Sequence, residues 1–298
     1  MGRSSMSLDI ERIVSARVSD PDAIAEALAR RRRPVGPPQG KFLVIAADHP
    51  ARGALRAGAD PVAMEDRWDL LGRIVEALAV PGVEGYLGTA DTIEDLALLG
   101  ALESKHVFGS MNRGGLAGAS FEMDDRMTGY DVAGITEAGL DGGKMLLRVD
   151  PDDDRTASTL QACAQAVSDL GRADLVAMVE PFISRRDESG RVVNKLDPES
   201  VALSAAIASG LGASSRRTWL KMPLTANLER LSRATTLPIV VLGGEVSNDP
   251  DATFARWEEV LSQPNVIGLV IGRSLLYPPS GSVTESVNRA VSLPGLAH

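Results

Sequence analysis

Eight short apolar segments recur along the chain from residue 42 onward, and their regular spacing limits the fold more than any other feature of the sequence. The first and last segments start 224 residues apart, which gives a mean step of 32 residues. A strand, a loop and a helix together need about 30 residues, so each step has room for one helix. The predicted strands are 42–47, 83–87, 106–109, 144–147, 174–179, 218–222, 238–242 and 266–271.

The segments between these strands have helical patterns. Residues 62–79 place Met64, Trp68, Leu71 and Ile74 on one helical face, and three further ranges are amphipathic or rich in alanine, namely 155–170, 197–211 and 250–262. Alternation of strands and helices predicts a parallel sheet in an α/β fold, and eight repeats predict that it closes into a (β/α)8 TIM barrel. An open, doubly wound sheet is the alternative.

The first 40 residues precede this repeating pattern, and we expect them to form an N-terminal helical extension to a barrel of residues 41–298. Residues 8–33 carry apolar stripes at helical spacing, and Asp20-Pro21 predicts the start of a second helix. The run Arg30–Arg33 is interpreted as a solvated face at a helix end rather than a patch for RNA or membrane. These helices could serve an interface or cover the floor of the barrel.

Composition excludes several classes of protein. The formal net charge of −9 gives no overall electrostatic attraction to nucleic acid, and no apolar run approaches the 18 residues of a membrane span. The single cysteine, Cys163, allows no internal disulfide and is typical of a reducing cytoplasm. With only three histidines, a histidine-based zinc site is not expected. We therefore predict a cytoplasmic protein without nucleic-acid or membrane partners.

Reactive side chains fall at or near the ends of four predicted strands. Asp48 follows the first strand, Lys144 lies in the fourth, Glu180 follows the fifth, and Lys221 lies near the end of the sixth. The active sites of (β/α)8 barrels lie at the C-terminal ends of the strands, where the loops converge. We therefore expect these four side chains to share one site.

The two lysines are unusual because each interrupts an apolar strand in a chain with five lysines and 26 arginines. Burial and a nearby second cation both lower the pKa of a lysine, and the resulting free amine can attack a carbonyl group to form a Schiff base. Glu180, whose successor Pro181 is predicted to end the strand, could shuttle protons or simply hold a lysine. The alternative is that each lysine forms a structural ion pair with a carboxylate.

Glycine motifs follow the last two strands. Gly243-Gly244 and Gly272-Arg273 would let backbone N–H groups approach phosphate oxygens, with the arginine as a charged clamp. The stretch Gly114–Gly118 lacks the spacing of a dinucleotide-binding motif and is interpreted as a mobile loop.

Taken together, these motifs resemble the class I, Schiff-base aldolases of (β/α)8 fold, such as tagatose-1,6-bisphosphate aldolase and the DhnA-type fructose-bisphosphate aldolases. The resemblance runs from about residue 41 to about residue 276 through short motifs. It implies catalytic roles for four residues: Lys221 as the Schiff-base lysine, Lys144 as its activating cation, Glu180 as the proton shuttle and Asp48 as a contact for substrate hydroxyls. It also implies substrate or phosphate binding by Gly243, Gly244, Gly272, Arg273, His49 and Arg52.

The activity implied by this resemblance is cleavage or formation of a C–C bond in a keto-sugar phosphate, with dihydroxyacetone phosphate and an aldehyde as products. No metal or cofactor is expected, because a protonated imine supplies the electrophilic pull that zinc supplies in class II aldolases. Barrels of this group often assemble into homo-oligomers.

The sequence leaves alternatives open. The first motif, Asp48-His-Pro-Ala-Arg52-Gly, is longer than its counterpart in the sugar aldolases, so the substrate could be a ketohexose bisphosphate, a deoxy-keto-gluconate phosphate or another sugar phosphate. A deoxyribose-phosphate-type aldolase, a transaldolase or a dehydratase would share the same lysine chemistry. A non-catalytic sugar-phosphate sensor is the other alternative.

Overall fold

In the computed structural model, which describes residues 9–296, eight parallel strands pair side by side and close into a ring. The ring is formed by β1 (Phe42–Ala46), β2 (Val83–Gly88), β3 (His106–Ser110), β4 (Gly142–Val149), β5 (Val176–Arg186), β7 (Thr218–Met222), β8 (Ile239–Leu242) and β9 (Val266–Ile271). β6 (Val192–Lys195) pairs antiparallel with β5 outside the ring. The order β4-β3-β2-β1-β9-β8-β7-β5 ends with β5 pairing to β4, which confirms the (β/α)8 barrel and excludes the open sheet.

The strands are apolar on both faces, which is why they appear in the sequence as continuous apolar runs. In β1, Leu43 and Ile45 face the helices, whereas Phe42 and Val44 belong to a separate cluster that fills the barrel axis. We call this inner cluster the apolar plug; its buried members are Phe42, Val44, Ala46, Leu87, Phe108, Met178, Val240 and Val270, and Trp219 packs against them.

Helices surround the barrel in the described residues: α1 (Ile10–Ser19), α2 (Asp22–Arg30), α3 (Arg67–Leu78), α4 (Ala90–Leu98), α5 (Val132–Glu137), α6 (Arg155–Arg172), α7 (Pro198–Ser209), α8 (Leu228–Arg233), α9 (Pro250–Leu261), α10 (Arg273–Leu276) and α11 (Val283–Val291). The helical patterns at 155–170, 197–211 and 250–262 correspond to α6, α7 and α9. None of the helices in residues 9–296 is long and apolar enough to cross a membrane.

The prediction for α3 was wrong at its start. The Asp66 carboxylate accepts hydrogen bonds from the backbone N–H groups of Trp68 and Asp69, so the helix begins at Arg67 rather than at residue 62. Trp68 consequently lies in the first turn and is 63% exposed, whereas Leu71 and Ile74 are buried as expected.

The N-terminal helices α1 and α2 lie against the outside of the barrel at α4. Leu28 is buried in the outer core, and Arg17 forms an ion pair of 2.7 Å with Glu94. The expectation of a fully solvated Arg30–Arg33 run was wrong for Arg31, which is only 4% exposed. Its guanidinium donates to the carbonyl oxygens of Lys105 (2.6 Å) and Gly139 (2.9 Å), which replace water as hydrogen-bond partners.

β5 is longer than the sequence predicted, because Pro181 does not end it. β7 pairs with β5 only at Ala177–Val179, so the strand has a single parallel neighbour at Pro181 and tolerates a residue without an N–H there. β5 then continues to Arg186 and turns back as β6, whose residues line one side of the barrel mouth.

The loop between β3 and α5 is packed rather than open, contrary to the interpretation of Gly114–Gly118 as a mobile loop. Arg148 of β4 donates to Asp125 of this loop (2.8 and 2.6 Å) and to Glu122 (3.1 Å). A side chain at Gly115 would overlap the carbonyl oxygen of Glu122. The buried guanidinium of Arg148 therefore draws the loop inward over the β4 side of the mouth.

Candidate active site

The C-terminal ends of the strands surround a cavity of about 560 Å³. All ten side chains or glycines that the sequence singled out line this cavity: Asp48, His49, Arg52, Lys144, Glu180, Lys221, Gly243, Gly244, Gly272 and Arg273. The structure thus brings the candidate residues into one place, as the barrel topology requires.

Two lysines and two carboxylates form the base of this cavity. Lys144 Nζ lies 3.1 Å from Asp48 Oδ2 and also contacts Glu180 Oε2. Lys221 Nζ lies 3.1 Å from the other oxygen, Glu180 Oε1. One carboxylate therefore connects the two ammonium groups.

Strand periodicity explains why the charged cluster adjoins the apolar plug. Side chains two residues apart share a face of a strand. Glu180 therefore lies on the same face as Met178, two residues further along β5, and Lys221 lies on the same face as Trp219, two residues further along β7. Met178 belongs to the apolar plug and Trp219 packs against it. In β4, Lys144 is in register with Ser110, the last residue of β3. Lys144 is also in register with Met178 of β5, which belongs to the plug. The charged cluster therefore adjoins the apolar plug on the side of the C-terminal ends of the strands.

Burial and mutual contact set the protonation of the cluster. Burial raises the pKa of a carboxyl group, but Lys144 and Lys221 outweigh it and lower the pKa of Glu180. Arg113 and Lys144 likewise outweigh burial and hold the pKa of Asp48 well below its ordinary value. Burial, reinforced by the charge of Arg113, lowers the pKa of Lys144 to about 8. Near neutral pH, both carboxylates are ionised and Lys144 is close to releasing its proton.

The sequence analysis missed two residues of the cluster, Arg113 and Ser110. Arg113 Nη1 lies 3.2 Å from Asp48 Oδ2, and the Ser110 hydroxyl donates to the same oxygen at 2.9 Å. Both are buried. The available signal was that both residues follow the third predicted strand. A polar residue after a predicted strand is the criterion that identified Asp48, which follows the first.

Further arginine side chains line the β3–β4 side of the cavity. Arg52 Nη1 lies 3.3 Å from the carbonyl oxygen of Gly115 and 3.8 Å from Glu122 Oε1. Burial and the charges of Arg148 and Arg113 lower the pKa of Arg52 to about 10. This side of the cavity is therefore crowded with positive charge.

The two glycine motifs lie on the opposite side of the cavity, after β8 and β9. A side chain at Gly272 would collide with the carbonyl oxygen of Ala46, and Gly244 has a φ of +70°, which favours glycine. These glycines permit close backbone approach and a tight turn whether or not a ligand binds.

Arg273 and His49 complete this side of the cavity. Arg273 Nη2 pairs with the exposed Glu245 at 2.9 Å, and its Nη1 donates to the carbonyl oxygen of Arg56 at 3.1 Å. Burial and the charge of Arg273 lower the pKa of His49 well below its ordinary value, so the imidazole is neutral near neutral pH. Arg273 is consequently the cation on this side that could approach an anionic ligand.

Solved structures share this architecture. An archaeal fructose-1,6-bisphosphate aldolase, solved with its catalytic lysine bound to a carbinolamine intermediate, is 20% identical, with a TM-score of 0.63 over 92% of this chain and 98% of that one. A fructose-bisphosphate aldolase from Slackia heliotrinireducens is 16% identical, with a TM-score of 0.64 over 98% of this chain and 91% of that one. At these identities, the likeness shows the fold alone. No curated protein matches the chain.

A nearer relative is the crystal structure of Cgl0159 from Corynebacterium glutamicum. It is 48% identical to this chain, with a TM-score of 0.92, and the match covers 95% of this chain and 96% of that one. The model of the Cgl0159-like family matches residues 40–291, which includes every barrel strand and the whole charged cluster. The chain belongs to the Cgl0159-like family.

Proposed function

We propose that the protein is a class I aldolase, a carbon–carbon lyase that acts on a keto-sugar phosphate through a Schiff base on Lys221. The observation that carries the proposal is the pair of buried lysines on the two oxygens of Glu180, at the base of an open cavity. A structural ion pair needs no cavity beside it. Two amines joined by a proton acceptor suit imine chemistry.

Imine formation begins with a proton transfer from Lys221 to Glu180, whose Oε1 lies 3.1 Å from Nζ. The free amine bonds to the ketone carbon, and the carbonyl oxygen takes the proton from Glu180, which is ionised again. After a second proton has moved from nitrogen to this oxygen, water leaves and a protonated imine remains. Lys144, which touches both carboxylates, keeps a positive charge beside the reacting oxygen.

Cleavage requires a base for the hydroxyl group one carbon beyond the bond that breaks. Glu180 suits this role because its lowered pKa keeps it ionised. The hydroxyl proton moves to Glu180, the O–H electrons form the aldehyde, and the electrons of the broken C–C bond move into the imine to give an enamine. Protonation of the enamine carbon and addition of water then release the second product, dihydroxyacetone phosphate, and restore Lys221.

The remaining cavity residues supply binding in this proposal. Asp48, fixed by three donors, would accept a hydrogen bond from a sugar hydroxyl. The phosphate would lie against the glycine motifs Gly243-Gly244 and Gly272-Arg273, where Arg273 can exchange the exposed Glu245 for the phosphate. The neutral His49 and the cationic Arg52 would contact substrate oxygens. Fructose 1,6-bisphosphate, the substrate named for the structural relatives, is the first ketose to test.

The proposal is tested by borohydride trapping with dihydroxyacetone phosphate, followed by peptide mass spectrometry. We expect a stable adduct on the peptide that carries Lys221. Lys221→Met should abolish both adduct and turnover while the fold stays intact by circular dichroism. Lys144→Met should slow turnover by about 100-fold or more yet leave some adduct, since activation by a neighbouring group is typically worth 10²–10⁴.

Three outcomes would overturn parts of this assignment. Near-normal turnover by Lys221→Met contradicts the Schiff base, and an adduct on Lys144 reverses the roles of the two lysines. Failure to trap an adduct with any keto-sugar phosphate contradicts the aldolase and favours a sensor. Analysis of the released products separates an aldolase from a transaldolase or a dehydratase.

A further inference from the structure

Five charged side chains at the base of the cavity alternate in sign. Arg113 contacts Asp48, Asp48 contacts Lys144, Lys144 contacts Glu180, and Glu180 contacts Lys221. This series of contacts therefore has a cation at each end, Arg113 at one and Lys221 at the other. With every group in its usual charge state, the cluster holds three positive charges and two negative ones.

Arg113 is the fixed member of this cluster. Its Nε donates to the carbonyl oxygen of Asn112 at 2.8 Å, and its backbone N–H donates to the Thr128 hydroxyl at 2.9 Å. The side chain is only 6% exposed, and Nη2 is buried without a hydrogen-bond partner in the described residues. A guanidinium does not lose its proton in proteins, so the surplus charge cannot leave the cluster from this residue.

Within residues 9–296, the elements around the cluster supply no third carboxylate to balance it. β2, β8 and β9 present Leu87, Val240 and Val270 of the apolar plug. The next charged layer is already paired, since Arg148 holds both Asp125 and Glu122. Near Arg273, Glu245 is exposed and pairs with that arginine. The charges that act on Lys144 are those of Arg113, Asp48, Glu180 and Lys221. His49 interacts with Lys221 and Arg273, and Arg52 and Arg148 line the same cavity.

We infer that Arg113 is a positioning residue that neutralises Asp48, and thereby forces one of the two lysines to exist as a free amine. The two carboxylates balance two cations, and Arg113 is permanently one of them. One lysine balances the other carboxylate, so the second lysine is the surplus cation in a buried site. The inference rests on the proposed function, because a free amine is what imine formation needs.

Glu180 allows the surplus proton to leave either lysine. Its two oxygens contact the two Nζ atoms, so a proton can pass from Lys221 to Glu180 and on to Lys144 with no change in the total charge. The lowered pKa of Lys144 fits this arrangement, because after burial the charge of Arg113 is the largest effect that opposes its protonation. Lys144 can therefore hold the proton while Lys221 attacks.

The inference is tested by titrating the lysines themselves. Protein labelled with ¹³C at lysine Cε has five signals, which single Lys→Met variants assign, and their shifts report protonation without substrate or reagent. We expect one site lysine of the wild type to titrate at least about one pH unit below the free value of about 10.4. Arg113→Met should raise that midpoint by about one unit or more, since a neighbouring like charge shifts a pKa by that order.

Two variants separate charge from structure. Arg113→Lys keeps the cation and should keep the low midpoint. Arg126→Met removes a 77% exposed arginine of the same loop and should leave the midpoint unchanged. Borohydride trapping by Arg113→Met should need a correspondingly higher pH, and Arg113→Lys should restore the original profile.

If Arg113→Met fails to fold, the wild-type midpoints can still overturn the inference. Wild-type site lysines that both titrate near 10.4, or an unchanged midpoint in folded Arg113→Met, would overturn the inference. A low midpoint in a protein that traps no ketose phosphate would leave the charge assignment intact and overturn the proposed function instead.

Discussion

At the scale of the residue, the site depends on contacts that the sequence could only partly predict. Asp48, Lys144, Glu180 and Lys221 were expected to meet because strand ends converge in a barrel. Which lysine contacts which oxygen depends on strand register and rotamers, and no local sequence pattern specifies these. Arg113 was missed because no local sequence pattern shows that buried ion pairs hold its loop against the barrel.

Lys144 should make stability depend on pH in a predictable direction. Burial and Arg113 lower its pKa from 10.5 to about 8, so the folded protein releases this proton at a lower pH than the unfolded chain does. Between about pH 8 and about pH 10.5 the unfolded state binds more protons, and this residue's contribution to the free energy of unfolding rises with pH.

Urea titrations of wild type and Lys144→Met at several pH values measure this contribution. We expect the free energy of unfolding of the wild type, relative to the variant, to increase across the window. A difference that stays constant with pH would contradict the lowered pKa.

Arg273→Ala should weaken substrate binding more than it slows the reaction, because in our proposal this arginine holds the phosphate and not the reacting carbon. Loss of a charge-assisted hydrogen bond costs about 1.5–3 kcal/mol, which corresponds to a rise in KM of about 10- to 100-fold. Steady-state kinetics should show a smaller change in kcat. Glu245→Gln is the matched control, since it removes only the exposed partner of Arg273 and should not raise KM.

At the scale of the element, the barrel strands were predictable and the additions to them were not. Parallel strands are apolar on both faces, so runs such as Phe42–Ala46 stand out in the sequence. The β5–β6 hairpin lies in a stretch rich in arginine and acidic residues, and its strand continues through Pro181, which local rules take as a strand end. β5 can continue through Pro181 because β7 no longer pairs with β5 beyond Val179, and this feature of the tertiary structure is not encoded in the local sequence.

The loop after β3 should depend on Arg148 for its position. Arg148→Met leaves the buried carboxylates of Asp125 and Glu122 without this cation, and we expect the free energy of unfolding to fall by about 3–5 kcal/mol. Arg233→Met is the control, because the Arg233–Glu229 pair is exposed and should cost about 1 kcal/mol or less. Urea denaturation measures both. Equal losses in the two variants would show that Arg148 does not anchor the loop.

At the scale of the whole molecule, the chain combines a family barrel with a helical extension. The family match begins at residue 40, just before β1, so α1 and α2 lie outside it. The sequence predicted both helices from their apolar stripes. It could not show where they pack, because docking on α4 depends on pairs distant in sequence, such as Arg17 with Glu94.

Removal of residues 1–39 should therefore destabilise the barrel without altering the charged cluster. Ile13 and Leu28 are buried in the outer core, and loss of two such side chains costs about 3–6 kcal/mol at about 1.5–3 kcal/mol each. We expect a lower midpoint of urea unfolding and unchanged lysine titrations in the truncated chain. Unchanged stability would show that the extension does not support the barrel.

The apolar plug has a kinetic consequence. Phe42, Phe108 and their neighbours fill the barrel axis beneath the lysines. A substrate therefore reaches Lys221, and products leave it, through the cavity at the C-terminal ends of the strands. In the mechanism that we propose, a substrate cleaved while bonded to Lys221 gives one half that is free to depart and one that is still bonded to the lysine. Product release then has a fixed order, in which the free aldehyde leaves before the product that is bonded to Lys221. In the direction of synthesis, the ketone that bonds to Lys221 must enter before the aldehyde acceptor. Product-inhibition patterns report this order.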